Sequence, residues 1–261
     1  MTKRHKCPRC EFTKAYVIRR EKRRCARCKY EWQPGRFPLR FTASQWRSVA
    51  MTFLKGFSGH ATAGETGFDR KRILRALLLI RTVMAKDVPE VFSGFVEVDE
   101  TYLGGKWRNK RKSIRLGGTK RGRGTTKTPV FGILCRSGKV WAEVVPDIEA
   151  KTLIPLINTR VKRGSTVFSD TLRVYTGIAA KGYVHRIVEH SKGEYSDCKG
   201  THINGLEGFW GYLKRKLVSK GGIRKERLPL YLAEYVWRYN HRSLTVKEQT
   251  ERILTLLKKQ F

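Results

Sequence analysis

Apolar residues recur along this chain at two spacings, one helical and one alternating, and the change from one to the other divides it. Behind a Thr42-x-x-Gln45 capping box, Trp46, Val49, Ala50, Phe53 and Leu54 fall at i, i+3, i+4, i+7 and i+8, which predicts a helix ending near Gly56. Asp69 is the expected N-cap of a longer helix from Arg70 to about Lys86, apolar over much of its girth through Ile73, Leu74, Leu77, Leu78 and Ile80. With the glycine-containing segment between them, these make three helices in the outline of a helix-turn-helix. A small helical connector fits the same pattern. From Gly94 to Gly105 the spacing becomes that of a strand, built on Phe95, Val96, Val98, Thr101 and Tyr102. Residues 128–136 and 139–145 predict two more strands, joined by a turn at Ser137-Gly138.

Farther along, Leu153, Ile154, Leu156, Ile157 and Val161 predict a helix. Strands are expected at 165–170 and 184–188, followed by a helix after Thr201 with Asn204 as its N-cap. Two C-terminal helices follow, one with Pro229 in its first turn and one opened by a Thr245-x-x-Glu248 box. Tyr231, Tyr235, Trp237 and Tyr239 are expected in the core, with contact to a partner subunit or DNA as the other reading. The order β-β-β-α-β-α-β-α describes an α/β fold with an RNase H-like mixed sheet flanked by helices. In that topology the first and fourth strands are neighbours.

The alternation also shows where chemistry sits. Asp99 lies inside the first strand of the sheet, sharing a face with Glu97 and Thr101, while Val96, Val98 and Glu100 point the other way. A carboxylate among buried residues is costly unless it is paired or holds a cation. Asp170 closes the fourth strand, so the topology brings it beside Asp99. On the helix after Thr201, Leu206, Phe209, Trp210, Leu213 and Leu217 form one apolar arc, with Glu207, Gly211 and Lys214 opposite. Gly208 and Gly211 beside Glu207 leave clearance for a bulky ligand or allow close packing on the sheet. Asp99, Asp170 and Glu207 are the hard oxygen ligands that Mg2+ or Mn2+ needs in phosphodiester chemistry.

Charge sharpens this reading. The 261 residues carry 56 Lys and Arg against 22 Asp and Glu, a formal +34, which calls for a polyanionic partner and makes nucleic acid the first choice. In so basic a chain, acids inside apolar segments stand out. Residues 106–127 hold ten Lys or Arg and no acid, and are expected to form a mobile loop beside Asp99. No apolar run is long enough for a membrane and no signal-peptide layout is seen, so a soluble cytoplasmic protein associated with the nucleoid is expected. Cys7-x-x-Cys10 and Cys25-x-x-Cys28 bring four thiolates to one Zn2+ in a zinc ribbon, with strands at Tyr16–Ile18 and around Tyr30 and Trp32.

Together the Cys pairs, Val98-Asp-Glu-Thr-Tyr-Leu-Gly-Gly-Lys106, Phe168-Ser-Asp170, His202-Ile-Asn-Gly-Leu-Glu207 and its continuation to Arg215, and Trp237-Arg-Tyr-Asn-His-Arg242 resemble the ISXO-type insertion-sequence transposases of the DDE class. The resemblance spans essentially the whole chain. It implies catalytic roles for Asp99, Asp170, Glu207 and Lys214, the last as a point charge on a phosphate. It also implies DNA as partner, both transposon ends and target, cleavage followed by strand transfer, and a homodimer or higher oligomer. Glu97, Glu100, His202 and Asn204 are close enough in sequence to trade roles with the assigned residues. The expected domains are a zinc ribbon (1–40), a helix-turn-helix-like DNA-binding domain (41–90), an RNase H-like catalytic domain (91–220) and C-terminal helices packed upon it (221–261). A zinc-ribbon regulator, or a nuclease or resolvase that cuts without joining, are the competing readings.

Overall fold

The computed structural model describes residues 6–19, 22–33, 37–89, 91–105, 112, 127–136, 138–170, 173–175, 177–188 and 204–260. Nearly all of the expected basic loop (106–127), together with Thr171-Leu172 and His202, lies outside them. The chain forms two compact units, Met1–Asp87 with His241–Phe261, and Val88–Asn240. Among the described residues no helix is long and apolar enough to cross a membrane.

The first unit begins with three short antiparallel strands, β1 (Ala15–Val17), β2 (Arg23–Cys25) and β3 (Glu31–Trp32). Strand β2, Arg-Arg-Cys, has no apolar alternation to announce it. Its pairing on both sides and the buried Cys25 hold it in place. Helix α1 (Ala43–Leu54) carries both arms of the predicted box: the Gln45 amide donates to Thr42 Oγ1 at 3.2 Å and the Thr42 amide to Gln45 Oε1 at 2.9 Å. Ser58 caps α2 (Gly59–Thr66), Gly67 turns the chain at φ +70°, and Asp69 caps α3 (Arg70–Lys86).

The second unit holds a five-stranded sheet made from β4 (Phe95–Leu103), β5 (Thr128–Cys135), β6 (Lys139–Val144), β7 (Thr166–Ser169) and β8 (Val184–Ile187). Their spatial order is β6-β5-β4-β7-β8. The first three strands are antiparallel, and β7 and β8 extend β4 in parallel, which is the RNase H-like arrangement. Helix α4 (Ala150–Arg160) lies with the apolar cluster on one face, among Val96, Val98, Ile133 and Val167. On the other face α5 (Asn204–Val218) and α6 (Leu228–Asn240) pack against Leu103, Val130, Leu134 and Val140. Between β7 and β8 the described residues form two 3-10 turns, at Arg173–Tyr175 and Ala179–Lys181, where the sequence leaves a helix or a turn open.

The C-terminal helices part company, which corrects the expected boundary at 221. Helix α6 belongs to the sheet: Asn240 bonds both the amide and the carbonyl of Val140, each at 2.7 Å. Helix α7 (Val246–Gln260), opened by the Thr245–Glu248 box, belongs instead to the first unit. There it buries Ile253, Leu254 and Leu257 and pairs Glu251 with Arg47 at 2.8 Å. Its apolar stripe completes a core that α1 and α3 leave open. Of the aromatic residues on α6, Tyr235 and Trp237 are buried, as expected, while Tyr231 and Tyr239 are half-buried.

Candidate active site

Strand β4 places its side chains by simple alternation. Its parallel register with β7 pairs Val96 with Val167 and Glu97 with Phe168, and continuing it two residues sets Asp99 opposite Asp170, where the chain leaves β7. That exit is tied down by Ser169, fully buried, whose hydroxyl donates to the Asp170 carbonyl at 3.0 Å and meets His185 Nε2 at 2.8 Å. One carboxylate oxygen from each of Asp99, Glu100 and Asp170 lies within 4.8 Å of the other two. Although Glu100 points to the opposite face from Asp99, the Tyr175 hydroxyl donates to its carboxylate and holds it at the cluster.

Two of these half-buried carboxyls, Asp99 and Glu100, resist ionisation. Burial pushes Asp99 up to about 6, and the charges of Asp170 and Glu207 add to the rise. Two donors oppose it, the Glu100 amide and the Trp210 indole. Glu100 is pushed up to about 7, again chiefly by burial, against the Tyr175 hydrogen bond and with the charges of Asp99 and Asp170. A cation would reverse this balance, because it favours the ionised form of each ligand.

Helix α5 is fastened to β4 on both sides of Glu207. Ahead of it, the Leu206 amide donates to Glu97 Oε2 at 2.9 Å. Behind it, the Trp210 indole N–H donates to Asp99 Oδ2 at 2.9 Å. Glu97 is almost completely buried, and Arg136, 3.2 Å away and stacked on Phe168, balances its charge. Two glycines permit this approach. A Cβ at Gly205 would stand 3.0 Å from Glu97 Oε2, and one at Gly132, the cross-strand partner of Asp99, would stand 2.5 Å from Trp210 Cζ2. By contrast a Cβ at Gly208 would meet nothing within 4 Å, so that glycine leaves open space beside Glu207 and makes no close contact with the sheet.

The profile described as the ISXO2-like transposase domain matches residues 91–240. The chain belongs to this family. It is 36% identical over 120 residues to an uncharacterised transposase-like protein of Haemophilus influenzae, a match covering 46% of this chain and 94% of that one. It is also 31% identical over 187 residues to an uncharacterised protein in transposable element ISH50 of Halobacterium salinarum, covering 68% of this chain and 62% of that protein. Among solved structures there is a slight likeness to the Mos1 transposase paired-end complex with left transposon end: TM-score 0.29, 10% identity, 87% of this chain and 82% of that one.

In this ISXO2-like transposase the sequence-predicted residues are distributed as follows. Asp99 and Asp170 come together, with Glu100 as a third member of their group. Glu207 is exposed and outside that group, yet near enough for its charge to act on Asp99. Lys214 is exposed two turns farther along α5. Cys7, Cys10, Cys25 and Cys28 converge, with Sγ separations of 3.6 Å for Cys7–Cys28 and 3.5 Å for Cys10–Cys25. Those lengths suit four sulfurs about 3.8 Å apart around a tetrahedral zinc. Burial works against ionisation of Cys25, but the Cys28 and Arg27 amides and the neighbouring thiols outweigh it and lower that thiol to about 6.

Sequence reasoning takes Trp210 for core alone and passes over Gly132, Arg136 and Tyr175. Only a glycine in an otherwise apolar strand is available as a signal for one of them. Gly132→Ala should drive the indole off the strand and lower stability by about 1–3 kcal/mol, read as a drop in the urea midpoint. An unchanged midpoint would show that the indole does not depend on that gap.

Proposed function

We propose that this ISXO2-like transposase cuts DNA at the ends of a mobile element and joins the freed 3′-hydroxyls to target DNA, acting on the nucleoid in the cytoplasm. The observation that carries this reading is the gathering of Asp99 and Asp170, from distant parts of a +34 chain, into one carboxylate group. An all-carboxylate donor set suits Mg2+ or Mn2+ and would otherwise repel a phosphodiester. Asp99 and Asp170 would hold the metal with Glu207 as the third ligand, and Glu100 is within reach of the same position. Bound there, divalent cations supply Lewis acidity to the attacking and leaving oxygens of an in-line displacement.

The chain's own groups have separate tasks. Trp210 fixes the Asp99 carboxylate through one oxygen and so would hold it in place for a metal. The Glu97–Arg136 pair holds the start of α5, and therefore Glu207, at a set distance from β4. Lys214 would take a phosphate next to the scissile bond. The four-cysteine cluster would hold a structural Zn2+. The three helices α1–α3 would bind DNA as a helix-turn-helix-like domain. Because two ends must be held for joining, a homodimer or larger assembly is expected.

The deciding experiment incubates the protein with Mg2+, end-labelled duplexes carrying the element's termini and a supercoiled plasmid. Labelled ends covalently joined to plasmid are expected. Cut ends without joining would reduce the function to that of a nuclease.

A further inference from the structure

Helix α3 has two unlike sides. Its buried residues, Ile73, Ala76, Leu77, Ile80, Val83 and Met84, occupy one arc of about 120°. Opposite them, Arg70, Lys71, Leu74, Arg75 and Leu78 are exposed over about 140°. Leu74 and Leu78 stand inside that arc, with Arg70 on one side of them and Lys71 and Arg75 on the other. Their exposures, 47% for Leu74 and 43% for Leu78, are large for leucines on a helix that buries six other residues. The local frame is that of a helix-turn-helix: an eight-residue α2, a three-residue turn with Gly67 in the left-handed region, then α3 with Asp69 at its cap. The buried Thr62 and the close approach of Leu74 to Gly59 set α2 across α3. At the start of α3, Arg40, Lys71, Arg72 and Arg75, together with Leu39 and Asp69, line an open depression of about 420 Å³.

We propose that α3 enters the major groove of duplex DNA, with Leu74 and Leu78 against thymine methyl groups, Arg70 on the phosphates along one side and Lys71 and Arg75 on those along the other. This deepens the DNA-binding role given above and rests on it. The exposed arc of a helix in this frame is the one that faces the groove. Thymine C5-methyls are the apolar feature of the major-groove floor, and leucines match them. Cations on both margins match the phosphate walls. Those cations also argue against a second copy as the occupant, since pairing this face with itself would set Lys71 and Arg75 against their like. Sequence preference then belongs to the leucines and salt-dependent affinity to the cations.

The test selects binding sites for the full chain from a randomised duplex library and then measures affinity for the enriched duplex. An enriched sequence with thymines at fixed positions is expected. Replacing each contacted thymine with deoxyuridine, which lacks the methyl, should weaken wild-type binding about fourfold, the worth of one buried methyl group. Leu78→Ala should erase that difference at one position, with an unchanged melting temperature as the sign of an intact fold. Lys71→Ala and Arg75→Ala should weaken all duplexes alike and each reduce the slope of log K against log salt by about 0.9. No enriched sequence, a deoxyuridine effect that survives Leu78→Ala, or a change of oligomeric state in place of binding would each overturn the proposal. Failure of the end-joining assay would remove the transposition chemistry and leave these binding results standing, so the two failures can be told apart.

Discussion

Asp99→Asn should lower Mg2+-dependent cleavage by at least about a thousandfold while DNA binding persists. Asparagine keeps the shape and an oxygen for the Trp210 indole, so the strand and α5 stay fastened. It removes the negative charge that a divalent cation needs, at the centre of the carboxylate group. The same substitution should alter the pH dependence of stability in chelator. Asp99 ionises near 6 in the folded protein against an ordinary 3.8, because burial penalises its charge. The folded state therefore binds this proton more tightly than the unfolded one. The contribution of Asp99 to stability is therefore greatest below about pH 4 and declines as pH rises from about 4 to about 6. Glu100, raised to about 7, extends the decline toward neutrality. Asn at 99 should flatten the lower part of that slope in urea melts run at several pH values. Cleavage at the wild-type rate by the Asn variant would exclude Asp99 from the chemistry.

Cys25→Ser should unfold the ribbon. Among the described residues, Trp32 is the one buried side chain besides the sulfur ligands in the cluster that β1, β2 and β3 enclose, and three strands of two or three residues cannot persist on that alone. A structural zinc in so small a fold is worth about 10–16 kcal/mol of apparent binding free energy at neutral pH. A serine hydroxyl does not replace a thiolate whose amide hydrogen bonds already favour the anion. Metal analysis should find one zinc per chain in the wild type and none in the variant, and limited proteolysis should cut the variant first within residues 6–33. A protease-resistant, zinc-free Cys25→Ser protein would show that the strands hold without metal.

What could be read from the sequence depended on how local the signal was. Capping residues are local, and Thr42, Asp69 and Thr245 each open a helix where the sequence predicts one. Alternation within β4 and the order of strands were enough to bring Asp99 beside Asp170, because register in a parallel pair follows from topology. Contacts between distant segments left no such trace. Glu97 meets the Leu206 amide across 109 residues and Trp210 meets Asp99 across 111, and neither partner's sequence neighbourhood announces the other. Trp210 satisfied the apolar periodicity of α5 so well that its polar N–H went unassigned. Arg-Arg-Cys at β2 is a strand held by its neighbours more than by its own residues. Helix α7 shows the same limit at larger scale: its amphipathic stripe was legible, but nothing in it told which core it would cover.

That helix has a consequence for the order in which the protein matures. Ile253, Leu254 and Leu257 complete a core begun by Trp46 and Ile73, so that core can close only after the entire Val88–Asn240 unit has been translated. A nascent chain halted inside the sheet would still expose that unfinished core. The N-terminal helices would thus reach their full packing only in polypeptides synthesised through Leu257, so that truncated products should be recognised and degraded as incompletely packed.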